Sequence, residues 1–116
     1  MYDMKRKEEV EEFLRQFKPK MSVWGVLFLD RGKNVQSLKD LGLTPQMREE
    51  VVREIVAEDF CEMIYDTVGH LGEMWVFGRD CNERELYIKI SLGQPNSKTI
   101  CISFHVAEHP MNYAFK

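Results

Sequence analysis

Hydrophobic and polar positions follow two different periods along this chain. Over residues 4–17, Val10, Phe13, Leu14 and Phe17 recur at i, i+3, i+4 and i+7, the stripe of an amphipathic helix, and Pro19 is expected to end it. Residues 21–29 are apolar on both parities and rich in β-preferring side chains, which predicts a strand covered on both faces. Asp30 is placed to cap a helix from about residue 31 to Leu41, with Val35, Leu38 and Leu41 inward and Gly42 as its stop. Thr44 followed by Pro45 is a strong helix start; that helix is expected to reach about Val56 and to bury Met47, Val51, Val52 and Ile55. A short turn or helical piece follows at residues 57–60, and the run to Gly72, with Gly69 and His70, reads as a loop.

From residue 73 the period becomes two, and strands are predicted over 73–80, 85–92 and 98–106. In the second, Leu86, Ile88, Ile90 and Leu92 alternate with Glu85, Tyr87, Lys89 and Ser91; in the third, Ile100, Ile102, Phe104 and Val106 alternate with Cys101, Ser103 and His105. Turns at 81–83 and 93–97 join them as consecutive hairpins. Residues 1–116 therefore read as one α+β domain, an antiparallel sheet of about four strands with helices packed on one face. The tail carries Met111, Tyr113 and Phe115 and is expected to lie against the body.

A hydrophobic content of 44% supports an independent core. The net charge of −3 argues against a broadly basic nucleic-acid binder. It is unevenly spread: residues 1–70 hold 14 acids and 11 bases, whereas residues 71–116 hold five of each, so the sheet region is neutral. No apolar run approaches the roughly 18 residues of a membrane span, and no secretory leader is seen. Three cysteines without a C-x-x-C pair read as reduced thiols, so a cytoplasmic protein with no membrane partner is expected. Cys61, His70, Cys81, Cys101, His105 and His109 show no zinc-type spacing, so neither a metal nor a cofactor is expected. Nothing marks Cys101 as an activated nucleophile.

Chemistry would sit on the polar face of the late strands. Counting outward from the 93–97 turn puts Lys89 near Cys101 and Tyr87 near Ser103, with His105 beside Glu85 and Tyr87; turn length can slide this by a residue or two. Phosphodiester cleavage without metal needs a base for the 2′-hydroxyl, a cation for the phosphoryl oxygens and an acid for the departing 5′-oxygen. Histidine titrates near neutrality, so His105 suits acid or base work. Lys89 and Arg79 suit the phosphate, and Tyr87 can orient or donate. Trp75 and Phe77 share a parity with Arg79 and, if exposed, would form a platform for stacked bases. Two plainer readings stand beside these: the wet side of a half-exposed sheet is always polar, and Trp75 can lie buried under the tail. The basic run Lys5, Arg6 and Lys7 is likewise either an RNA-touching patch or a solvated helix face.

One ordered set of short motifs adds to this. Leu41, Gly42 and Leu43, then a helix, then Glu58, Asp59 and Phe60, then Trp75, then Leu86, Tyr87, Ile88, Lys89 and Ile90, and last Ile102, Ser103 and Phe104 resemble the MqsR family of toxins from bacterial toxin–antitoxin pairs, over roughly residues 35–106. The resemblance implies a RelE-like ribonuclease fold and a sequence-selective mRNA endoribonuclease. It also implies a cognate antitoxin protein combining a zinc-binding domain with a helix-turn-helix domain. The family's catalytic tyrosine falls on Tyr87 with Lys89 beside it, and a catalytic lysine of the last strand falls on His105. The chain departs from the family at Cys61 and Glu62, which stand for a Tyr-Lys pair, and at Val76, which stands for a glutamine. Arg79 takes the place of the family's arginine only across a gap. The expectation is a metal-independent mRNA endoribonuclease with His105, Tyr87, Lys89 and Arg79 catalytic and Trp75, Phe77 and Ser103 touching RNA. The alternative is a non-catalytic protein- or RNA-binding module using the same sheet face.

Overall fold

A long helix laid across one face of a twisted sheet sets the architecture. The computed structural model describes residues 2–3, 5–69 and 71–116; Met1, Met4 and His70, where one predicted helix start and one metal candidate fall, lie outside the described residues. In chain order the elements are β1 (Tyr2–Asp3), α1 (Lys7–Trp24), β2 (Val26–Phe28), α2 (Gly32–Leu41), α3 (Pro45–Arg53), a 3-10 turn (Ala57–Asp59), β3 (Phe60–Asp66), β4 (Gly72–Cys81), β5 (Arg84–Ser91) and β6 (Thr99–Val106). The sheet order is β1-β3-β4-β5-β6-β2. Its neighbours are antiparallel except β2, which runs parallel to β6. The α+β expectation holds, but four antiparallel strands become a mixed sheet of five, extended at one edge by the two-residue β1.

The helix α1 runs straight through Pro19, against expectation. An interior proline costs about 3 kcal/mol. Two groups beyond it offset that cost. Met21 continues the buried stripe of Val10, Phe13, Leu14 and Phe17 at 1% exposure, and burying such a side chain contributes about 1.5–3 kcal/mol. Lys20 directs its ammonium onto the carbonyls of Leu92 (2.5 Å) and Ser97 (2.7 Å), tying the helix to the β5–β6 turn. The helix stops at Gly25, whose φ of 87° an L side chain rarely adopts. The predicted strand over 21–29 shrinks accordingly to Val26–Phe28.

The helix α2 buries two polar residues beside its apolar stripe: Leu38 and Leu41 pack inward as expected, and Val35 does not. Asn34 and Ser37 face inward with Leu41, while Val35 is exposed. The reason lies in β6, whose outer edge β2 covers only at Thr99, Ile100 and Cys101. Beyond that the strand's backbone groups need partners. Asn34 Nδ2 donates to the Ile102 carbonyl (3.1 Å), Asn34 Oδ1 accepts from Phe104 N (3.0 Å), and Ser37 Oγ accepts from Val106 N (2.9 Å). Asp30 does not cap α2; it pairs with Arg48, whose buried guanidinium lies 3.8 Å from the centre of the Phe28 ring. Thr44 does cap α3, accepting from Met47 N at 3.2 Å, but Met47 itself is exposed and the helix ends at Arg53.

The predicted loop after Phe60 is in its first half a strand, β3. A bulge at Cys61, between the pairs Phe60↔Phe77 and Glu62↔Val76, breaks the two-residue alternation there. Core residues Phe60 and Met63 consequently stand three apart and read as no strand at all.

Candidate functional site

A second bulge decides the site. In β6 the register moves between Ile90↔Cys101 and Lys89↔Ser103, one extra residue on the β6 side. Cys101 therefore turns into the core, 1% exposed, rather than onto the polar face where simple alternation put it. The same step places Ser103 opposite Lys89 and His105 directly opposite Tyr87. The two rings lie nearly parallel, 10° apart in plane with centroids 5.2 Å apart.

These side chains floor a cavity of about 450 Å³ together with Glu62 and Cys61 of β3 and Val76 of β4, and residues 108–112 of the tail form its wall. His105 Nδ1 lies 2.9 Å from the Val106 carbonyl. A carbonyl only accepts, so Nδ1 carries the hydrogen in this contact, and the other ring nitrogen, Nε2, is not engaged by it. Burial pushes the Tyr87 phenol above its ordinary pKa, and the Glu62 carboxylate adds to that, so the phenol holds its proton at neutral pH. Lys89 is half-buried and has no hydrogen bond or ion pair among the described residues; burial first, and then the Arg31 guanidinium, lower its pKa. The Cys61 thiol is pushed up to about 12, chiefly by burial, which leaves it a thiol rather than a nucleophile.

Three predicted site residues are elsewhere. Arg79 pairs with Leu86 in register and so points to the helix side, where its guanidinium binds Asp59 at 2.8 Å and the Glu54 carbonyl at 3.1 Å. Trp75 and Phe77 form no exposed platform. They are 5% and 0% exposed beneath α1, with Phe13 stacked 4.3 Å over Trp75. The cover is the helix, not the tail. Tyr87, Lys89, Ser103 and His105 do come together. Sequence reasoning gave no role to Glu62, weighed His109 only as a metal ligand, and expected the tail with Met111 to pack on the body without assigning it to a cavity. Glu62 was visible only as a departure from the family pattern.

Among the described residues no three His, Cys, Asp or Glu side chains are grouped to hold a metal ion, and no helix is long and apolar enough to cross a membrane. No family model, curated protein or solved structure matches the chain.

Proposed function

We propose that this chain is a metal-independent mRNA endoribonuclease that cleaves by attack of a 2′-hydroxyl on the adjacent phosphate. The observation that carries the reading is the Tyr87–His105 ring pair beside a half-buried Lys89, without an ion pair among the described residues, in one open cavity. His105 Nε2 takes the 2′-hydroxyl proton as the new P–O2′ bond forms. Lys89 meets the charge growing on the phosphoryl oxygens. Tyr87 gives its proton to the 5′-oxygen as the P–O5′ bond breaks. The imidazolium then returns a proton to the phenolate, so the site is restored. The products are a 2′,3′-cyclic phosphate and a 5′-hydroxyl.

The toxin role and the cognate antitoxin with its zinc-binding and helix-turn-helix domains rest on the sequence resemblance over residues 35–106, and a cytoplasmic site of action on the reading of the three cysteines as reduced thiols. A non-catalytic binding module is the second reading, favoured by Glu62 and Glu108 on the cavity lining, which offset its positive charge. One assay separates the two: purified protein with mRNA in excess EDTA. Cleavage that is lost in both His105→Ala and Tyr87→Phe supports the enzyme; binding without cleavage supports the module. Undiminished cleavage in both variants refutes the mechanism.

A further inference from the structure

Gly78 lies inside β4 directly opposite Tyr87, on the face that forms the cavity floor. A Cβ there would come within 2.6 Å of the Tyr113 hydroxyl and 2.9 Å of its ring. Glycine inside a strand marks the close approach of another group, and here that group is a phenol from the tail. Glu85 on β5 holds the same segment. One carboxylate oxygen accepts from Met111 N at 2.9 Å and the other from the Tyr113 hydroxyl at 2.8 Å, while the Glu85 carbonyl accepts from Ala107 N at 2.8 Å. Further on, Ala114 N donates to the Phe60 carbonyl at 3.0 Å and the Phe115 ring stacks on Phe60. Residues 107–116 have no helix or strand of their own, yet they are strapped to the sheet at both ends. The part between, residues 108–112, is the cavity wall. On it Met111 presents a half-buried thioether chain, and Asn112 an exposed carboxamide with no hydrogen bond among the described residues.

We infer that this strap is the base-reading wall of the site: the cavity takes one unstacked nucleotide of single-stranded RNA, its phosphate toward Lys89 and its base against Met111 and Asn112. The inference rests on the ribonuclease reading for its ligand. A volume of about 450 Å³ lies within the range of cavities that enclose one small ligand. Sequence-specific RNA recognition depends on splayed bases whose edges meet side-chain donors and acceptors. A carboxamide carries a donor and an acceptor side by side, the pattern of a base edge. Trp75 and Phe77 are buried, so no base stacks on them, and the Tyr87 and His105 rings of the floor are assigned to the phosphate chemistry. The wall is then the part of the cavity left to read the base.

The test uses the intact protein, the four nucleoside 3′-monophosphates and inorganic phosphate, with affinities read from NMR shifts of the cavity imidazoles. In the wild type the best and worst monophosphates should differ by about tenfold, the discrimination of one good amide–base pair. Asn112→Ala should bring the four within about twofold of one another without changing the affinity for inorganic phosphate, since only a base contact of that size is removed. Gly78→Ala, which forces Tyr113 off the sheet, should do the same and expose the Met111 amide to hydrogen exchange. Equal affinities in the wild type, or a spread that survives Asn112→Ala, overturns the inference. A wild type that shows the preference yet leaves RNA intact refutes the nuclease and keeps the strap. Cleavage without any base preference does the reverse.

Discussion

Replacing Asn34 by Ala tests the least obvious feature of this fold, a polar side chain that completes the edge of a sheet. Asn34 is 4% exposed and makes three hydrogen bonds, to the Leu29 carbonyl (2.6 Å), the Ile102 carbonyl (3.1 Å) and Phe104 N (3.0 Å). Alanine leaves two of those partners buried and unmatched, on Ile102 and Phe104. Each orphaned buried group costs about 1–3 kcal/mol, so the loss should total about 3–5 kcal/mol once the half-buried Leu29 bond is included. With a urea slope of about 2 kcal/mol per M, the unfolding midpoint should fall by about 2 M. Val35→Ala, one residue away on the exposed side, should cost under about 0.5 kcal/mol. Asn34→Asp should not rescue stability, because a carboxylate has no donor for the two carbonyls. Urea unfolding followed by tryptophan fluorescence measures all three, and hydrogen exchange at the Phe104 amide reports the edge directly. If Val35→Ala costs as much as Asn34→Ala, the edge-completing role is wrong and the helix packs by its apolar stripe after all.

Other expectations follow from the site and its strap. Lys89→Met removes a half-buried ammonium that has no ion pair among the described residues, so it should leave stability unchanged or raise it by up to about 1 kcal/mol while weakening inorganic phosphate binding about tenfold. Because the folded state lowers the Lys89 pKa, phosphate affinity should fall as pH rises through a window ending below an ordinary lysine's, and Lys89→Arg should bind across that window; a titration of affinity against pH decides it. Tyr113→Phe should cost about 1 kcal/mol by removing a hydrogen bond to a carboxylate at a half-exposed site. Burial, and then Glu85, raise the Tyr113 pKa, so its contribution is whole below the unfolded value near 10 and is lost as pH climbs through the higher folded value. Comparing wild type and Tyr113→Phe in urea at neutral and strongly alkaline pH should show the difference vanish at the alkaline end. Trp75→Ala should cost about 3–5 kcal/mol as a core truncation, with RNA affinity of the folded fraction unchanged; a selective loss of affinity would restore the stacking platform.

What the order of residues determined by itself was local and periodic. The stripe from Val10 to Phe17, the cap at Thr44 with Pro45, the strand β4 and the alternating runs of β5 and β6 were legible because each is decided by neighbours within a turn or a pleat. The polar set Tyr87, Lys89, Ser103 and His105 was legible for the same reason, as one parity of two strands. Tertiary structure decided everything that depends on a group distant in the chain. Burial of Met21 and the anchoring of Lys20 carried a helix past a proline; the unpaired edge of β6 drew Asn34 and Ser37 inward; single-residue bulges at Cys61 and Ile102 reset which side chains share a face. Arg79 was assigned to the phosphate for its guanidinium and its place in the family resemblance, and only Asp59, twenty residues earlier, shows where its charge is spent. Periodicity names the face of an element, whereas unsatisfied backbone groups and buried charges far along the chain choose what that face meets.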